Sequence, residues 1–209
     1  MSEFTDGILF LKPNFAEVET AAKELSQPYL LREVNQKWGG LFAEDSNVAE
    51  PKFKNWLHTL SKQVSLFYFQ HPADHGWGYN LYRDGKEVAS VWVSYELSYN
   101  MAVDLAEIRY PTIPDIHVNL ESDIFDSLLD EVRDSQEYVA AINQQYANKN
   151  VAEFAIFDTT SETISDLEDI VSENLYLEDM LEQVELFKTQ LDITEMDWMS
   201  YRYLLHNRQ

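Results

Sequence analysis

The stretch VSLFYFQHPADHGWGYNLYRDGKEVASVWVSY, residues 64–95, decides the fold. Its opening, Val64 to Gln70, is dense in β-formers, and Trp77, Tyr79 and Leu81 alternate with smaller or polar residues. That period of two places successive side chains on opposite faces of a sheet. Pro72-Ala73-Asp74-His75-Gly76 is rich in turn formers, and Arg83-Asp84-Gly85-Lys86 carries the Asp-Gly pair of a tight hairpin. Val88 to Tyr95 then resumes the alternation, with Ala89, Val91, Val93 and Tyr95 on one face and Ser90, Trp92 and Ser94 on the other. The reading is a three-strand antiparallel meander at about 64–95.

Working toward the N-terminus, Pro51 opens a helix that buries Phe53, Trp56, Leu57 and Leu60, preceded by a polar loop from Ala43 to Glu50. From Tyr29 to Phe42, Val34, Trp38 and Leu41 sit around Gly39-Gly40 in a way that suits extended structure with a turn. Gly7 to Lys12 reads as a buried strand stopped by Pro13. Asn14 then caps a helix, with Glu17 at the capping-box position and Phe15, Val18, Ala22 and Leu25 on one face.

Beyond Tyr95 the period turns helical, interrupted by Pro111 and Pro114, with a short helix over Met101 to Ile108. Ile124, Phe125, Leu128, Leu129 and Val132 form one apolar stripe, and Tyr138, Val139, Ile142 and Tyr146 the next. Thr159-x-x-Glu162 is a capping box ahead of Ile164, Leu167, Ile170 and Val171. Asn174 caps a helix with Leu177, Leu181, Val184 and Leu191 inward, and Thr194-x-x-Asp197 caps the last, which carries Trp198, Tyr201 and Leu205. The fold class is α+β: an N-terminal antiparallel sheet flanked by helices, followed by an all-helical acidic C-terminal region. Residues 1–118 and 119–209 form these two regions, as two domains or one continuous one, with the break near Ile116 to Leu120.

Charge narrows the function classes. Asp plus Glu number 37 against 15 Lys plus Arg, a formal net of −22 on 209 residues. Residues 1–118 hold 16 acids and 10 bases (−6), and residues 119–209 hold 21 acids and 5 bases (−16). A surface so poor in bases argues against nucleic acid and anionic membranes as partners, which need basic footprints. With no cysteine, disulfides and thiolate chemistry are excluded. Met1-Ser2-Glu3-Phe4-Thr5-Asp6 lacks the basic and apolar regions of a signal peptide, and the expected location is cytoplasmic. Phosphate-binding, nucleophile-elbow, zinc-protease and EF-hand motifs are missing, so no catalytic residue, metal or cofactor is assigned.

Three constellations remain. Glu162, Asp166, Asp169 and Glu173 fall at i, i+4, i+7 and i+11, and Asp126, Asp130 and Asp134 at i, i+4 and i+8. Like charges at that spacing cost a helix about 0.2–0.5 kcal/mol per pair. Each row advances about 6 Å per step, near the spacing of nucleic-acid phosphates, so mimicry toward a basic protein is physically possible. The alternative is a solvated face that serves solubility alone. The second constellation is His71, Asp74, His75 and Trp77, a loop whose imidazoles and carboxylate could ligate a metal, hold a small ligand or act in proton transfer. Equally, Asp74 closes the turn and the imidazoles stay in solvent. The third is the aromatic wealth of the meander, either packed on both faces or leaving one face for a ligand. The leading expectation is a non-enzymatic interaction protein, of inhibitor or immunity type, whose acidic helical face binds a basic protein partner. The alternative is a small-molecule-binding protein or metal-dependent enzyme built on the His71 loop.

Overall fold

The computed structural model describes residues 4–207, so the reading of Met1 to Glu3 lies outside the described residues. Its sheet has strands β1 (Phe4–Leu11), β2 (Tyr29–Glu33), β3 (Trp38–Ala43), β4 (Leu66–Pro72), β5 (Gly76–Arg83) and β6 (Lys86–Ser94), in the order β2-β3-β1-β4-β5-β6. Every neighbouring pair is antiparallel. The expected meander supplies one half of this sheet. Helices α1 (Phe15–Ala22) and α2 (Pro51–Leu60) lie between strands in sequence. After β6 come α3 (Leu97–Arg109), α4 (Ile116–Asn119), α5 (Ser122–Arg133), α6 (Gln136–Gln145), a 3-10 segment over Val151–Phe157, α7 (Ser161–Ile170), α8 (Glu173–Gln190) and α9 (Tyr201–His206).

Strand alternation sorts the sheet into two apolar faces. Ile8, Phe10, Leu41, Leu66, Tyr68 and Tyr82 pack with Val18 and Ala22 of α1 and Phe53, Leu57 and Leu60 of α2. On the opposite face Leu9, Trp38, Phe67, Phe69, Trp77 and Tyr79 pack with Phe154, Phe157, Leu167, Val184 and Phe187. Phe187 is the hub of this aromatic layer, stacked on Tyr79 at 5.3 Å and 4.7 Å from Trp77. A side chain of that size contributes about 1.5–3 kcal/mol on full burial. Both faces of the aromatic meander are therefore covered by helices, although Trp92 keeps 38% of its surface exposed. A third cluster joins Ala102 and Ala106 of α3 to Ile116, Leu128 and Val132.

Polar tethers set how the helices lie on the sheet. Trp38 Nε1 donates to the Leu191 carbonyl at 2.9 Å, and the Tyr79 and Tyr176 hydroxyls donate to Lys149 and Ser94 carbonyls. Gln183, fully buried, accepts from Tyr146 and donates to the Ile170 and Ser172 carbonyls, so the α7–α8 corner leaves its amide satisfied. The outer edge of β6 is met by Asn148, whose carbonyl accepts from Ser90 N and whose amide donates to Ser90 Oγ. Asn150 adds a bond to the Val88 carbonyl.

Several local expectations are corrected. Gly39 and Gly40 lie inside β3 and make no turn. The turn comes earlier, where Asn35 Oδ1 accepts from Lys37 N and Trp38 N. A Cβ on Gly39 would stand 2.5 Å from the Phe10 ring, so this glycine makes room for an aromatic neighbour. Asn14 caps nothing, since it sits in a 3-10 turn at φ −89°, ψ 13° and its side chain makes no cap bond. Thr160, Ser172 and Ser200 cap α7, α8 and α9 in place of Thr159, Asn174 and Thr194, each with extended backbone that aims its hydroxyl at the N–H three residues on. Leu177 and Leu181 are exposed (63% and 59%) because α8 breaks at Asp179, whose Oδ1 caps the second segment through Leu181 N and Glu182 N. The break resets the helical phase, leaving Val184 and Leu191 inward. Val139 is also exposed, one step off the Tyr138, Ile142 and Tyr146 row.

Candidate functional site

The acidic rows form where an apolar stripe fixes one side of a helix and leaves the other to water. In α5, burial of Leu128 and Val132 turns Asp126, Asp130 and Asp134 outward, all exposed. An ion pair between Arg109 and Glu131 ties α3 to α5; hydrogen bonding between them raises the arginine's pKa and lowers the carboxylate's. In α7, Leu167 and Ile170 face the core and Glu162, Asp166 and Asp169 stand in solvent. Glu162 lies in the first turn, where a carboxylate complements the helix dipole. The proposed four-member row is broken: α7 stops at Ile170, and Glu173 opens α8 as a half-buried residue on a different axis. Of these carboxylates only Asp130 has a base within 4.0 Å among the described residues, Arg133. Lys149 pairs with Glu168 of α7, which is not a member of the row.

The histidine loop does not gather. His71 is buried on β4, opposite Thr5 of β1, with Nε2 3.4 Å from the Tyr95 hydroxyl. His75 and Asp74 are exposed in the turn, and His75 Nδ1 lies 2.9 Å from Glu96 Oε2. Trp77 is fully buried beneath Phe187. Pro72 ends β4 between the two imidazoles, and Gly76, at φ +148°, starts β5, so the turn separates the side chains that a ligand site would need together. Among the described residues no group of three or more His, Asp or Glu could hold a metal ion.

A feature without a sequence signal lies on the same strands. Thr5 Oγ1, His71 Nδ1 and Trp77 Nε1 are buried and have no hydrogen-bond partner among the described residues. The β1–β4 register pairs Thr5 with His71, and His71 and Trp77 directly follow the last β4–β5 pair, Gln70 with Gly78, so alternation puts all three on one face. Beside them Lys188, 1% exposed, is held by Glu185 at 2.6 Å and by Asp197. Burial opposes that ammonium's charge, yet the hydrogen bonds it donates to Asp197 and Glu185 outweigh burial and raise its pKa. Burial, then the Lys188 charge, hold the His71 imidazole below its ordinary range. Burial and Glu185 push the Tyr95 phenol up. The result is an imidazole whose protonation is disfavoured, next to a clamped cation. Pairings across strands decide this cluster, and they are invisible in residue spacing.

On the other face of β1, Asp6 is 5% exposed, and burial, opposed by Arg202 and aided by Asp45, lifts its pKa to about 7. Its backbone N–H donates to the Met199 carbonyl, which ties β1 to the segment that leads into α9.

No protein-family model, curated protein or solved structure matches this chain. No helix among the described residues is long and apolar enough to cross a membrane.

Proposed function

We propose that the protein is a non-enzymatic binding protein of the cytoplasm whose acidic helical face engages a basic protein, in the manner of an inhibitor or immunity protein. The observation that carries this reading is the unmatched charge of α5 and α7: Asp126, Asp134, Glu162, Asp166 and Asp169 stand in solvent with no ion-pair partner among the described residues. Spaced carboxylates of one sign steer a basic partner to the surface and select against acidic ones. The exposed Leu177 and Leu181 on α8 offer apolar area for such a contact.

The test is capture from lysate at low and high salt, followed by binding measurements on the captured protein. A basic partner whose affinity falls steeply with salt, and falls again on neutralising Asp126, Asp130 and Asp134 to Asn, supports the reading. An association that ignores salt, or a chain that retains no partner at low salt, refutes it.

A further inference from the structure

The layer formed by α1 and α2 carries a groove that none of the chemistry above uses. It consists of two adjoining hollows of about 450 Å³ and 350 Å³ that share Glu24 and Trp56. Trp56 is the fixed element of its wall. The indole stacks on Phe53 at 5.9 Å with 17° between planes, and its Nε1 donates to the Ala21 carbonyl of α1 at 3.1 Å. Ring orientation is thus set from both helices, while the half-buried indole still lines both hollows. Around it stand Glu17 and Glu24 from α1, Asp45 from the loop after β3, and Glu50 at the start of α2, against one lysine, Lys52. Glu50 is engaged in capping α2 through Phe53 N, but Glu17, Glu24 and Asp45 have no ion-pair partner among the described residues.

An aromatic wall edged by free carboxylates fits a planar cation, because the ring's negative face and the carboxylates attract the same charge and a guanidinium can meet both at once. Two hollows in series, open to solvent along one aromatic side chain, suit an extended chain better than a compact solute. We propose that this groove binds an extended basic segment of a partner protein, with an arginine side chain laid against Trp56 and its charge met by Glu24. The site belongs to the α1–α2 face of the sheet, across from the α7 and α8 layer, and does not depend on the reading of α5 and α7.

The experiment titrates the ¹⁵N-labelled full chain with a short Gly-Arg repeat peptide and follows the indole signals of its five tryptophans. The Trp56 signal is identified by its loss in Trp56→Phe. The expected result is a saturable shift of Trp56 while the signals of buried Trp38 and Trp77 stay in place. The double variant Glu17→Gln/Glu24→Gln, which alters only exposed side chains, should weaken the peptide roughly fivefold, as expected for two lost exposed charge contacts. Neutralising Glu162 and Asp166 on α7 should change it less than about twofold. Equal weakening by both double variants means diffuse attraction to an acidic protein and overturns the site. A titration that leaves Trp56 unmoved overturns it as well. Free arginine amide binding as tightly as the peptide overturns the extended-segment assignment in favour of a small-cation site. The α7 variant separately reports on the acidic-face reading through the captured partner, so the two proposals fail by different measurements.

Discussion

Asp6→Asn replaces a buried acid by an amide of the same shape that cannot ionise. The aspartate has its pKa at about 7 in the folded chain, lifted by burial from the ordinary 3.8. Below about pH 4 the carboxyl is protonated in both folded and unfolded chains and contributes no pH dependence. Between about 4 and 7 the folded chain keeps a proton that the unfolded chain releases, so stability falls as pH rises. Above 7 the loss is complete. A separation of about three pH units, at 1.36 kcal/mol per unit, makes it about 4 kcal/mol. The variant should thus gain on the wild type progressively from pH 4 to pH 8, reaching an advantage of about 4 kcal/mol relative to its standing at pH 4. Desolvation of the amide shifts the variant equally at every pH, so the slope of the difference carries the information. Urea unfolding followed by tryptophan fluorescence at about pH 4, 6 and 8 measures it. Wild-type and variant stabilities that run parallel over this range would refute the account of a desolvated carboxyl only partly relieved by Arg202.

Ser172→Ala should cost about 1 kcal/mol by removing the α8 cap, while Asn174→Ala should stay within about 0.5 kcal/mol; thermal unfolding separates the two. Lys188→Met should be neutral or stabilising in the same assay, since its carboxylate partners, 60% and 51% exposed, return to water. Removing Glu185 and Asp197 together strands the buried ammonium and should cost about 3–5 kcal/mol at neutral pH. Gly76→Ala should destabilise by more than about 2 kcal/mol, because its Cβ would lie 2.1 Å from the Val93 carbonyl oxygen at a backbone angle that disfavours a side chain. A melting temperature unchanged by that substitution would mean that the β5 start adopts another geometry.

The meander was legible because its signals are local: β-formers in alternation, a Pro-containing turn, and Asp84-Gly85 at the hairpin, where both residues do take positive φ. The two-layer covering of the sheet could be anticipated from Phe67 and Phe69 facing opposite to Tyr68, since both sets needed partners. Caps were legible only to within a few residues. Thr159 and Thr160 offer the same hydroxyl, and backbone angles alone choose between them. The α8 break at Asp179 escaped because an aspartate in a helical pattern reads as surface, whereas here its carboxylate replaces backbone partners. The Asp126, Asp130 and Asp134 row and the α7 members Glu162, Asp166 and Asp169 were readable, being one-dimensional, whereas Glu173 falls on the next helix. The alignment of Thr5 with His71 and Trp77 was not readable, as it depends on the pairing of β1 with β4, tens of residues apart in sequence. The α1–α2 groove was hidden for a similar reason: Trp56, expected to be buried, is half-buried and lines the groove, and its contact with Ala21 is set by how two helices lie together.

The tether of β6 by Asn148 and the covering of the aromatic face by Phe187 put the sheet's completion late in synthesis. Ribosomes add roughly 5–20 residues per second, so the interval from Phe67 to Phe187 lasts about 6–24 s. From the completion of β6 at Ser94 onward the six strands can pair, yet one face of stacked aromatics and one open edge await chain that has not been made. The nascent protein therefore passes through a window in which chaperone capture and misassociation compete with docking of α6 to α8. Slow translation between residues 95 and 187 lengthens that exposure, and the first helices to arrive set how soon it ends.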